Sequence, residues 1–139
     1  MIHTSLGIIT YKEEERGMVF LVVKNKSGNH WGFPKGTPED GESEEQTARR
    51  EFEEETGLKS PEKIEGPLVE ETYIFTTREG EKAQKINKFF VGKMEVEEKI
   101  GEPLSDILET RWVTSEEALS LFSFDETRDT LFKTQKILG

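Results

Sequence analysis

The chain has 139 residues, which suits one compact domain (residues 1–139) with a core of its own. It has no cysteine, which excludes disulfides and thiolate zinc sites and favours an intracellular, cytoplasmic setting. Nineteen basic against 29 acidic side chains leave a net charge of −10, which argues against a duplex nucleic-acid binder with its usual basic face.

Leu6–Tyr11 reads as a short strand, followed by a charged turn over Lys12–Gly17. Met18–Lys24 is a continuous apolar run of the kind a buried strand shows. Asn25–Asn29 is turn-like, and Trp31–Gly36 is rich in Gly and Pro, so it reads as strand end plus loop. A helix is expected from Ser43, where Ser43-x-x-Gln46 has capping-box spacing, to Gly57, which suits a left-handed stop. Strands are expected at Leu68–Thr76, Ile86–Met94 and Glu109–Val113. Thr114-x-x-Glu117 opens a short helix to about Leu121, and Ser123-x-x-Glu126 precedes a last one to about Leu138. This order predicts an α/β domain with a mixed sheet between helices. No apolar run approaches the ~20 residues of a membrane span. Met1–Leu6 lacks the basic-then-apolar order of a secretion signal.

The acidic charge is concentrated. Glu39–Glu55 holds nine acids and two arginines, −7 of the −10. Such a run is ordinarily a solvated face, and the helical spacing argues otherwise. At about 100° per residue with Ala48 as zero, Phe52 falls near +40°, Glu55 near −20°, Glu51 near −60° and Glu54 near −120°. Ala48 and Phe52 are the natural core contacts, so Glu55 lies within the apolar stripe and Glu51 beside it. Like charges at i, i+4 repel, more so when partly buried. Arg50 reaches Glu54 at i+4, but within the expected helix, which stops at Gly57, Glu51 and Glu55 have no cation three or four residues away, and Lys59 lies beyond the stop. Clustered carboxylates are hard oxygen ligands for Mg²⁺ or Mn²⁺, and Mg²⁺ commonly shares its shell with phosphates. The preceding glycine-rich loop admits close approach of a ligand, and Lys35 can neutralise a phosphate oxygen. The bland alternatives are a surface lysine at 35 and packing aromatics at Trp31 and Phe33.

Gly36-x5-Glu42-x7-Arg50-Glu51-Phe52-x-Glu54-Glu55-x-Gly57-Leu58 resembles the complete Nudix box, with every fixed position present. The resemblance implies a Nudix fold, an α/β/α layering, and hydrolysis of a nucleoside diphosphate linked to another moiety. It implies divalent-metal ligands at Glu51, Glu54 and Glu55 with the Gly36 carbonyl. It gives Arg50 the task of orienting a box glutamate, and makes Glu42 structural or an outer-shell group. The expected chemistry is charge neutralisation and in-line attack of water on phosphorus.

Asn29–Gly36 further resembles the His-Trp…Pro-Lys-Gly entry of asymmetric diadenosine tetraphosphate hydrolases. That subgroup carries a base-stacking tyrosine some fifteen to eighteen residues past the box, and Tyr73 stands fifteen past Leu58. By the same resemblance His30, Trp31, Lys35, Lys85 and Lys88 are candidate substrate contacts. Asp106, with Glu109 second, is a candidate extra metal ligand or base. Lys82, Lys85 and Lys88 are otherwise plain surface lysines, and Tyr73 an ordinary strand residue. The expected partner is a nucleoside polyphosphate taken by a monomer, with neither membrane nor duplex involved. Alternatives are a pyrophosphohydrolase of RNA 5′ ends or diphosphoinositol polyphosphates, and a non-catalytic nucleotide-binding module.

Overall fold

The computed structural model describes residues 1–97, 99–103 and 106–139. Its elements are β1 (Ile2–Glu14), β2 (Gly17–Asn25), β3 (Trp31–Gly32), β4 (Lys35–Gly36), α1 (Glu44–Thr56), β5 (Glu65–Thr76), β6 (Lys82–Lys93), β7 (Ile107–Thr114), α2 (Ser115–Leu121) and α3 (Asp125–Leu138). Every expected helix and strand is present. The strands run beyond the apolar stretches that announced them, because ladder pairing continues into polar residues such as Glu13 opposite Met18.

The strands form one mixed sheet in the order β3-β2-β1-β6-β5, with β4 paired to β1 and β7 to β2. β1 runs parallel to β6, from Ile2 opposite Gln84 to Tyr11 opposite Lys93. Alternation sorts the side chains. Leu6, Ile8, Leu21 and Phe90 pack with Ala48 and Phe52 of α1. Ile9, Phe20, Val22 and Phe89 pack on the other face with Ala118 and Leu131 of α2 and α3. Both faces are covered, so residues 5–10 of β1 are all buried. Among the described residues no helix is long and apolar enough to cross a membrane.

The caps follow the sequence in two helices of three. Ser43 accepts from the Gln46 N–H at 3.1 Å while the Ser43 N–H donates to Gln46 Oε1 at 2.8 Å. Gly57 ends α1 in the left-handed region at φ 71°. Thr114 and Glu117 close the second box. The third differs: the residue preceding α3 is Phe124, without a side-chain cap, and Ser123 lies one residue too early. Arg128 ties that end instead, donating to Asp125 Oδ1 and the Phe122 carbonyl.

One feature of the sheet positions the site. β1 and β2 pair only from Tyr11–Phe20 to Glu14–Gly17 and then part. Beyond that point β1 pairs β4 at Leu6–Gly36 and Gly7–Lys35, while β2 pairs β3 at Val23–Gly32 and Lys24–Trp31. The 31–36 segment is therefore wedged into the split between two central strands. Gly7 makes room for it, since a Cβ there would stand 2.1 Å from the Pro34 carbonyl oxygen. Gly7→Ala should force that segment outward, with a loss of about 1–3 kcal/mol in stability measured by denaturant titration. An unchanged midpoint would show that the wedge adjusts freely.

Candidate active site

α1 presents its carboxylates along the edge of its buried stripe, as the wheel predicts. Ala48 and Phe52 are fully buried, and Glu51, Glu54 and Glu55 are all partly covered. The Glu51 side chain is 14 % exposed and that of Glu54 36 %, so Glu54 is the more open to water. The Lys35 backbone N–H donates to Glu55 Oε1 at 3.2 Å. Gly36 packs directly on Glu51, where a Cβ would fall 1.6 Å from Oε2. The glycine is thus demanded by the close approach of a carboxylate.

Arg50 is the hub of the cluster. Its Nε donates to Glu42 Oε2 at 2.6 Å and one Nη to Glu42 Oε1 at 3.0 Å. The same end reaches the Thr37 carbonyl at 3.0 Å. Its other Nη contacts Glu54 at 3.3 Å and stands 3.6 Å from Glu51 Oε1. Glu51 is therefore not without a cation, because an adjacent arginine bends back to it along a route that the i±3, i±4 rule does not include. Glu42 also accepts from the Glu39 N–H and the Thr47 hydroxyl. These bonds, led by Arg50, bring its carboxyl down to about 2. Glu42 is the anchor that locks the loop to α1.

Even with Arg50 nearby, burial dominates at the other two acids. The Glu51 carboxyl is pushed up to about 7, mainly by burial against the opposing pull of Arg50, with Glu54 adding to the rise. Burial and then Glu51 push Glu55 up to about 8, against the hydrogen bond from Lys35. Oxygen donors that are half-buried and under-neutralised fit a hard divalent cation. Among the described residues no three such side chains converge into a ready cage. Mg²⁺ commonly takes one or two carboxylates plus waters and phosphates, which this donor set provides.

The other candidates gather on the opposite face of the sheet. A cavity of about 190 Å³ is lined by His30, Trp31, Lys35 and Tyr73, together with Glu71, Phe124 and Glu126, among others. His30 meets Phe124 edge-on with ring centroids 5.2 Å apart. Trp31 lies under the Arg111 guanidinium at 4.9 Å. Burial, then the charge of Glu71, raises the Tyr73 phenol. Lys85 stands across from Tyr73 in the β5–β6 ladder and donates to Ser5 Oγ at 2.6 Å. Burial, then the charge of Lys35, lowers its ammonium pKa, so the two lysines share one neighbourhood.

Lys88 does not join them. It has the parity of Phe90, on the α1 face, and pairs with Glu44 at 3.3 Å. The Asp106 side chain is exposed, and its backbone carbonyl accepts from the Lys26 N–H at 3.1 Å. Glu109 pairs with Arg111 at 2.6 Å. Neither acid contacts the α1 carboxylates among the described residues. Sequence reasoning missed Phe124 and Glu71. Phe124 reaches the cavity only through the placement of α3. Glu71 was detectable as an acid in the inward phase of a strand, between Val69 and Tyr73.

The NUDIX domain family model matches residues 1–135. The chain belongs to the Nudix family. Nudix hydrolases generally use divalent metals, which agrees with the donor set on α1. The chain is 29 % identical over 133 residues to the asymmetrical bis(5′-nucleosyl)-tetraphosphatase of Rattus norvegicus, covering 91 % of this chain and 85 % of that one. Among solved structures, the C. elegans Ap4A hydrolase superposes with a TM-score of 0.76 at 21 % identity, covering both chains fully. The NUDIX domain of Shewanella oneidensis NrtR complexed with ADP ribose gives 0.81 at 16 %, covering all of this chain and 90 % of that one. These structural likenesses establish the Nudix fold, and the family makes the chain a Nudix pyrophosphohydrolase.

The raised carboxyls fix the sign of a pH effect. In the unfolded chain both ionise near 4.5, whereas in the metal-free fold they keep their protons to about 7 and 8. Between those limits the unfolded state binds fewer protons, so stability falls as pH rises. The lowered Glu42 acts only below 4.5, where its contribution is lost on acidification. In chelator, the Tm at pH 8.5 should lie about 5 °C below that at pH 5.5, and Mg²⁺ should raise it more at the higher pH. A Tm that is flat or rises across this window, with no extra Mg²⁺ effect, would contradict the burial of these two groups.

Proposed function

We propose that this Nudix hydrolase splits diadenosine tetraphosphate into ATP and AMP. The observation that carries the proposal is the reach of residues 35–36. The Lys35 side chain lines the aromatic cavity on one face of the sheet. Its backbone N–H meets Glu55, and the next residue touches Glu51, on the other. A base held in the cavity thus has its phosphate chain led toward the carboxylates. The named activity of the rat relative supports the same substrate.

Each side chain has a task that follows from its surroundings. Tyr73 and Phe124 offer aromatic faces to a base. Lys35 and Lys85 repel one another and would be relieved by a polyphosphate between them. His30 at the cavity wall can donate to a phosphate oxygen. Glu51, Glu54 and Glu55 with the Gly36 carbonyl would hold Mg²⁺, with Mn²⁺ an acceptable substitute. Bound there, the ion supplies charge neutralisation and acidifies water. Arg50 keeps Glu54 in place through its fork of donors. Glu54, the more exposed of the pair beside Arg50, is then suited to accept a proton from the attacking water.

Incubation with diadenosine tetraphosphate and Mg²⁺ should yield ATP and AMP by chromatography, and chelator should abolish the reaction. A parallel panel includes 5′-triphosphorylated RNA and a diphosphoinositol polyphosphate. Preference for either of those, or no turnover of the dinucleotide, would overturn the substrate assignment. Glu54→Gln should lower kcat by about 100-fold or more while leaving the fold intact by circular dichroism. Unchanged activity in that variant would remove Glu54 from the mechanism.

A further inference from the structure

One wall of the cavity has no part in the chemistry above. Glu71 lines it and is only 8 % exposed. It sits on β5 two residues from Tyr73, hence on the same face. Asn87 Nδ2, directly opposite on β6, donates to its Oε1 at 2.8 Å. The Thr130 hydroxyl of α3 donates to its Oε2 at 2.9 Å. Each carboxylate oxygen can accept more than one hydrogen bond, so both keep capacity toward the cavity. A buried carboxylate is costly unless its acceptors are used. A mere brace between β5, β6 and α3 would need only a neutral amide.

The surroundings choose the missing donor. Among the described lining residues the basic ones, His30 and Lys35, come from the 30–35 segment. The acids, Glu71 and Glu126, come from β5 and α3. The cavity is therefore polarised, with phosphate favoured toward Lys35 and disfavoured near the two carboxylates. What suits that acidic wall is a neutral planar group bearing an N–H donor. The exocyclic amine of adenine is one.

We propose that Glu71 is a specificity-determining residue that accepts a hydrogen bond from the exocyclic amine of the bound base, so that the cavity selects an amino-bearing purine. Asn87 and Thr130 are its positioning residues. This rests on the base occupying the cavity, as proposed above. AMP and purine riboside 5′-monophosphate differ only in the 6-amino group, and their binding to the whole protein can be followed by tryptophan fluorescence, with Trp31 in the cavity wall. Wild-type protein should bind AMP about 10- to 100-fold more tightly. In Glu71→Gln that ratio should fall toward one.

Equal binding of the two nucleotides by wild-type protein, or binding of neither, overturns the proposal. So does a ratio that Glu71→Gln leaves intact. The wild-type comparison needs no variant, so a poorly folded Glu71→Gln does not shelter the idea. Turnover of diadenosine tetraphosphate separates the two hypotheses. A protein that hydrolyses it yet binds both nucleotides equally keeps the reaction and loses the base reading. One that discriminates without hydrolysing it does the reverse.

Discussion

Residue 36 must be a glycine because a carboxylate occupies the place of its side chain. Glu51 Oε2 lies where a Cβ would be, and the rest of the site follows from that contact. It sets how closely α1 approaches the wedged segment, and it deprives Glu51 of water. It brings the Lys35 N–H within reach of Glu55 one turn further along the helix. The capping box at Ser43 and the left-handed Gly57 fix the two ends of α1. Phe52 and Ala48 fix its rotation. The carboxylates are thus held by backbone and packing, so they stay in place although they repel one another.

Arg50 makes that repulsion tolerable, and its fork geometry explains how. A guanidinium serves several acceptors in different directions at once, which an ammonium on a flexible stem does poorly. Here it joins the Thr37 carbonyl, Glu39, Glu42, Glu51 and Glu54. The tightest of these bonds goes to Glu42, so the arginine is spent mainly on holding the loop. Its weaker contacts to Glu51 and Glu54 leave those acids under-neutralised. Burial is what raises the Glu51 carboxyl, and the opposing pull of Arg50 does not offset it.

Much of this was legible in the chain itself. The box spacing, the Ser43 and Gly57 signals and the phase of Phe52 are local, and local patterns give α1 and the order of its acids. Contacts that depend on side-chain reach or on elements distant in sequence were not visible. Arg50 bending back to Glu51 is one. The assignment of Lys85 and Lys88 to opposite faces is another, since strand parity shows its meaning only once α1 and α3 are known to cover different sides. Phe124 enters the cavity because α3 begins at Asp125 and not at the capping motif around Ser123. The splitting of β1 from β2, which creates the whole site, is a property of tertiary pairing.

The parallel alignment of β1 with β6 has a consequence for how the molecule comes into being. Ser5 and Lys85, joined by a hydrogen bond, are 80 residues apart in the chain. Pairing at such separation closes a long loop and is a slow event in folding. Until β6 arrives, β1 lacks its inner neighbour, and α1 has only part of the surface against which Phe52 packs. The acidic helix carries its own caps, and its apolar stripe is fully covered only once Phe90 of β6 stands beside Phe52. During synthesis on the ribosome that segment would travel as a solvated, strongly anionic stretch, and charge repulsion would guard the exposed strand against wrong partners. The property that primes the mature site for a cation then acts in the nascent chain as a solubilising tag.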